Sequence, residues 1–143
     1  GYKNFANKIW NISRFVLTYT EGLDYTPVNI ENDEDTKEMT KEFEVATLEL
    51  ENFRIHNASE RIYHYIWHTF ADRIIEESKV KLLDEGVSNE EKEKIKLKLY
   101  YILDMSLRML HPFMPFVTEE IWQCLPHKKD RPFLMVEKWP ILK

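Results

Sequence analysis

The 143-residue sequence predicts an all-α fold, an antiparallel helical bundle of about five helices. Three observations lead there. Apolar residues recur at helical spacing in five successive stretches. Those stretches are bounded by capping residues, glycine or proline. The connections between most of them are short, so neighbouring helices run antiparallel.

Residues 2–19 form the first helix, with Phe5, Ile9, Ile12 and Val16 on its apolar face. The stretch "TEGLDYTPVNIENDED" holds a glycine, a proline and a cluster of acids, and predicts a surface loop. The second helix carries Met39, Phe43, Ala46, Leu50 and Phe53 as its stripe, with Asp33, Asp35 or Thr36 as its cap. "NASE" at Asn57 to Glu60 has capping-box spacing and predicts the start of the third helix. From Ile62 to Ile75 large apolar residues point almost all round, which predicts the central and most buried element. Gly86 closes that helix, and "SNEE" from Ser88 opens a fourth that reaches about Leu110. Pro112 must stop it, because proline lacks a backbone N–H and disfavours helix at His111 before it. Phe113, Met114 and Phe116 are predicted to keep this corner in the core. Thr118 is predicted to cap a fifth helix whose first turn holds Glu119 and Glu120, with Ile121, Trp122 and Leu125 buried. Residues 127–143 are proline-rich and predict an irregular tail, and residues 1–143 read as one domain.

Composition narrows the function. A mass of 17.3 kDa suits one core, and a formal charge of -5 with pI near 5.6 is not that of a general nucleic-acid binder. Any RNA contact must be local. The single cysteine, Cys124, excludes an internal disulfide and a cysteine-based zinc cluster, and fits a reducing, cytoplasmic setting. No stretch approaches the roughly 18 apolar residues of a membrane span. Three glycines leave no phosphate-cradling loop and no dinucleotide fingerprint.

Several constellations could carry chemistry. His64, His68 and Asp72 stand at i, i+4 and i+8, the spacing of possible metal ligands on one helix face, although nothing nearby in sequence completes a coordination sphere. Histidines among aromatics are more often hydrogen-bonded rim or core residues. Cys124 has only His127 close by, and a buried or rim thiol is the simpler reading. Asn4, Lys8 and Asn11 share a face at i, i+4 and i+7, with Arg14 a further turn on, so amides and cations line up opposite the apolar stripe. Such a row can hydrogen-bond unstacked bases, though it can equally be a solvated surface. Lys92, Lys94, Lys96 and Lys98 alternate with glutamates and apolar residues, as a solubilising surface does. Lys128, Lys129 and Arg131 form a small basic cluster able to meet phosphate.

Two longer stretches decide the weighing. "NFANKIWNISRFVL", residues 4–17, and "LHPFMPFVTEEIWQ", residues 110–123, resemble the first and late helices of the anticodon-binding domain of class I aminoacyl-tRNA synthetases. The valyl-tRNA synthetases are the most similar branch. "ASERIYHYIWHTFADRIIEESK" is similar to the family's central helix, and "FLMVEKWP" to the segment that follows the bundle. The likeness covers nearly the whole chain.

The resemblance implies a bundle that reads the anticodon of a transfer RNA, valine's by the nearest branch, for a synthetase that uses ATP and magnesium in other domains. The family's His-Ile-Gly-His and Lys-Met-Ser-Lys-Ser signatures are missing, which implies an excised fragment with no catalytic residue, cofactor or metal of its own. Its partners are then transfer RNA and the catalytic domains of the parent chain. In the methionyl relatives an asparagine and a basic residue four further on hold bases, and the matching positions are Asn4 and Lys8; Asn11 and Arg14 extend that face. Lys8 keeps the charge without arginine's planar fork. Before the second helix this chain has "ENDEDTKEM" where the family often has an aspartate-tryptophan pair.

Overall fold

The computed structural model describes residues 2–23, 30, 32–125 and 139. The predicted tail, with Lys128, Lys129 and Arg131, lies outside the described residues apart from Trp139. Five helices are described: α1 (Tyr2–Thr20), α2 (Glu34–Glu51), α3, α4 (Asn89–Leu110) and α5 (Pro115–Gln123). Helix α3 is continuous but not uniform. It is α-helical over Ile55–His64, π-helical over Tyr65–Ile75 and α-helical again over Glu76–Leu83.

Helix α1 buries Phe5, Ile9, Ile12 and Val16, as its period predicts. It ends at a turn where Gly22 adopts a φ of 75°, a conformation that glycine enters without steric cost. Of the three candidate caps of α2 the chain uses Asp33, whose carboxylate accepts from the N–H groups of Asp35 at 2.9 Å and Thr36 at 3.2 Å. Met39, Phe43 and Ala46 are buried, Leu50 is half-buried, and the stripe stops there. Phe53 was expected in the core but is 87% exposed, because the helix has ended and the residue sits in the left-handed region with a φ of 61°.

That turn also relocates the start of α3. The Arg54 N–H bonds to the Glu49 carbonyl at 2.8 Å and the Phe53 N–H to the Leu50 carbonyl at 3.0 Å, the paired bonds of a Schellman ending. The Arg54 carbonyl then accepts from the Ala58 N–H at 3.1 Å, so α3 begins at Ile55 without a side-chain cap. Asn57 lies inside the first turn and does not open the helix. A left-handed non-glycine residue costs on the order of 1–2 kcal/mol, and an exposed side chain returns little packing. Phe53→Gly should therefore stabilise the domain by about 1 kcal/mol, read as a rise in the urea midpoint at unchanged slope; a fall would mean that the ring makes contacts important to the fold.

The most buried element is α4, not α3 as expected. Between Leu99 and Leu110 only Tyr101 and Arg108 are half-buried, and the other positions are buried on every side. Helix α4 packs against each of the other four helices. Helix α3 keeps one side open, where Tyr63 and Trp67 are half-buried and His64, His68 and Asp72 are exposed. Ser88 caps α4 as predicted, its Oγ accepting from the Glu91 N–H at 3.1 Å.

Charged groups bind α2, α3 and α4 at one end. Asp35 accepts from Lys98 Nζ at 2.8 Å and from Arg73 Nη1 at 3.1 Å, while Arg73 Nη2 reaches Glu38 at 2.8 Å. Lys98, expected on a solvated surface, is thus enclosed with Asp35. Burial alone raises the carboxyl pKa of Asp35, but Lys98 and then Arg73 outweigh it and hold the value below the usual 3.8. Stability from this site is present above the ordinary carboxylate value and is lost as pH falls through the lower, folded one. Asp35→Asn should cost about 1–3 kcal/mol in chemical denaturation at neutral pH, because two cations lose their common partner. No loss would show the network to be solvent-compensated.

The corner after α4 corrects two further expectations. Pro115 occupies the first turn of α5, where its missing N–H is no loss, so the helix starts a turn earlier than Thr118. Thr118 is therefore inside the helix, and Glu119 and Glu120 fall beyond the first turn. Thr118 is buried; its hydroxyl donates to the Met114 carbonyl at 2.8 Å and meets His111 Nδ1 at 2.9 Å. Met114 is buried and Phe113 packs on the core, but Phe116 is 83% exposed, because the early helix start turns it outward. Ile121, Trp122 and Leu125 are fully buried as predicted.

Burial lowers the His111 pKa below 6.5, only partly offset by the Glu119 carboxylate. The unfolded chain then binds this proton more readily than the folded one, so stability falls as pH drops below about 6.5. His111→Gln should flatten the pH dependence of the urea midpoint between pH 7.5 and 5.5. An unchanged slope would remove His111 as a source of it.

Candidate nucleic-acid interface

The open side of α3 faces α1. Phe5 anchors the contact, its ring centroid 4.6 Å from that of Tyr63 and 6.0 Å from that of Trp67. Beside it lies a cleft of about 420 Å3 lined by Phe5, Glu60, Tyr63, His64, Trp67, His68 and Met114. Aromatic rings form its floor and titratable groups its rim. Tyr63 and Trp67 are half-buried, so each ring is fixed by packing yet leaves part of its surface accessible.

Lys8 reaches from α1 to Trp67, beside this cleft. Its ammonium lies 2.9 Å from Asp72 Oδ1 and 5.0 Å from the centroid of the Trp67 ring, within cation–π range. The other Asp72 oxygen is 3.5 Å from His68 Nδ1, and the His68 ring lies 4.7 Å from that of His64. The hydrogen bond from Lys8, with the charges of Lys8 and His68, holds the Asp72 carboxyl below its ordinary range. These contacts give the metal reading no support. Asp72 is taken by a cation, the two histidines pack ring to ring, and among the described residues no three His, Cys, Asp or Glu side chains converge as metal ligands.

The other residues singled out on α1 divide. Asn4 and Asn11 are exposed, and with Lys8 they fall within about 60° of one another around an ideal helix. Arg14 is exposed as well but about 120° from Lys8, on the outer side of α1. The asparagines and Arg14 have no side-chain partner among the described residues, so their hydrogen-bonding groups are available. Phe15 continues the α3-facing ridge, with Lys79 Nζ 5.3 Å from its ring centroid. Cys124 is exposed just after α5, not buried, its thiol 3.5 Å from the Glu120 carbonyl.

The sequence reading missed the aromatic floor, because Tyr63 and Trp67 were counted among the core residues of a helix apolar all round. A signal was present. Glu60, Tyr63, His64 and Trp67 stand at i, i+3, i+4 and i+7, a mixed polar and aromatic stripe distinct from that of Ile62 and Ile66. No helix among the described residues is long and apolar enough to cross a membrane.

A helical bundle with half-buried aromatic rings in a cleft, and a cation and exposed amides on the helix beside it, has groups of the kind that unstacked bases meet. The comparisons with known proteins specify which bundle it is. A family model described as the anticodon-binding domain of tRNA ligase matches residues 36–143. The chain belongs to that family. It is 42% identical, over 98% of its length, to a valine--tRNA ligase of Thermotoga maritima. It is 37% identical to the Oceanobacillus iheyensis and 36% to the Bacillus subtilis valine--tRNA ligase, each over 96% of its length. The chain spans about 16% of the length of each of these relatives. The family match begins after α1, whereas the similarity to these relatives extends over nearly the whole chain.

Proposed function

We propose that this chain reads the anticodon of a valine transfer RNA as part of a valine--tRNA ligase, whose aminoacylation is carried out by domains outside the chain. The observation that supports this most is the placement of Lys8 over Trp67 beside the available amides of Asn4 and Asn11. Unpaired anticodon bases would stack on the ring faces of Trp67 and Tyr63 while the α1 row hydrogen-bonds their edges. In this reading Arg14, on the outer side of α1, meets backbone phosphate, and Lys128, Lys129 and Arg131 add further phosphate contacts. ATP and magnesium belong to the remainder of such an enzyme. A cytoplasmic setting is part of the same proposal.

The reading agrees with the charge of the chain. A net charge of -5 cannot hold RNA by bulk attraction, so affinity must come from local contacts, and salt should weaken it moderately. The test is a titration of the full-length enzyme with valine transfer RNA and with the same RNA carrying altered anticodon bases. Lys8→Ala and Asn4→Ala should each weaken binding of the intact anticodon by about 1–2 kcal/mol and leave thermal unfolding unchanged. Equal affinity for both RNAs, in the wild type and the variants, would remove the reading function from this face.

A further inference from the structure

We propose that Asp72 is a specificity-setting residue next to the cleft: by tethering the Lys8 ammonium across Trp67 it withholds that charge from stray phosphate and keeps it for the edge of a stacked base. The inference rests on the anticodon reading above. It concerns a carboxylate that an RNA-binding face ought not to want, since a negative charge at the rim repels the phosphate backbone.

The geometry gives that carboxylate a purpose. Asp72 projects from the π-helical stretch of α3, whose wider turn sets the direction in which each side chain leaves the axis. In this register it meets Lys8, 64 positions earlier, at 2.9 Å, and His68 at 3.5 Å on its other oxygen. An ammonium has three N–H donors. One is spent on Asp72, which leaves two directed groups beside the Trp67 face and nearly cancels the long-range charge. A lysine so held is a poor phosphate hook but a well-aimed donor to a base acceptor. The tether is also exchangeable. The Lys8 side chain is 28% exposed and that of Asp72 is 50% exposed, and ion pairs this open to water are weak. Glu60, on the same cleft, adds a second carboxylate that disfavours phosphate.

Asp72→Asn keeps the shape, removes the charge and frees Lys8. In the full-length enzyme this variant should bind all transfer RNAs more tightly. The slope of log affinity against log salt should steepen by about 0.7, the value of one extra single-strand phosphate contact. The preference for valine transfer RNA over the anticodon-altered copy should shrink several-fold. Asp72→Glu should restore the preference, and adding Lys8→Ala to Asp72→Asn should return the salt slope to the wild-type value. A merely structural role would instead lower the unfolding temperature and weaken both RNAs alike, which would overturn the proposal. An unchanged preference and slope would overturn it too. Lys8→Ala alone separates the two levels: if it leaves RNA binding untouched, the anticodon reading itself fails at this face, whereas if it weakens binding while Asp72→Asn changes nothing, only the role of Asp72 is lost.

Discussion

The second half of α4 threads the middle of the bundle, and the placement of every other helix follows from covering it. Leu99, Ile102, Leu103, Leu107, Met109 and Leu110 are fully buried there. Each is worth roughly 1.5–3 kcal/mol of transfer from water, far more than any one ion pair at the surface. Collapse onto α4 is therefore the driving term. The charges act at its margin: Lys98 sits one position before the buried half begins, and its bond to Asp35 ties the capped start of α2 to α4, while Arg73 ties α3 to the same carboxylate.

The cleft is a by-product of that arrangement. With Phe5, Ile9, Ile12 and Val16 turned into the core, the flank of α1 that carries Asn4, Lys8 and Asn11 runs beside α3. Because α3 is not enclosed on that side, Tyr63 and Trp67 remain half-buried: packed well enough to be rigid, open enough to be met. A stacking platform needs both properties. Under the proposed function an acidic domain meets RNA at this face without a basic surface, since affinity from stacking and directed hydrogen bonds does not need bulk charge.

Much of the fold was legible in the sequence, and the misses have common causes. The apolar period located all five helices and much of the core, but not Leu103, Leu107 or Leu110, because a single stripe leaves out the other sides of a helix buried all round, and Pro112 marked the end of α4. Helix starts were read less well. Asn57 and Thr118 both look like caps, but side chains of this kind also occur inside a first turn or a helix when another signal starts the helix sooner. For α5 that signal is Pro115; for α3 it is the Schellman turn, which needs a left-handed residue that the sequence supplies as Phe53 and not as glycine. Phe53 and Phe116 look like core residues to any apolar count, and backbone direction at the helix ends put both outside.

What the sequence determined by itself was the local and the repetitive: the number of helices, the stripes that form the core, the family to which the chain belongs, and the polar row on α1. These follow from periodicity and from short motifs, which act over a few residues. What only the tertiary structure decided was the choice of partners. His64, His68 and Asp72 have metal-ligand spacing along one helix, yet Asp72 is claimed by Lys8 from another, and Trp67, outwardly a core residue, forms the floor beneath that lysine. Pairings between residues some sixty positions apart depend on how two helices are rotated about their axes when they pack. That rotation is fixed by the shared burial of both helices against α4, and no window of sequence contains it.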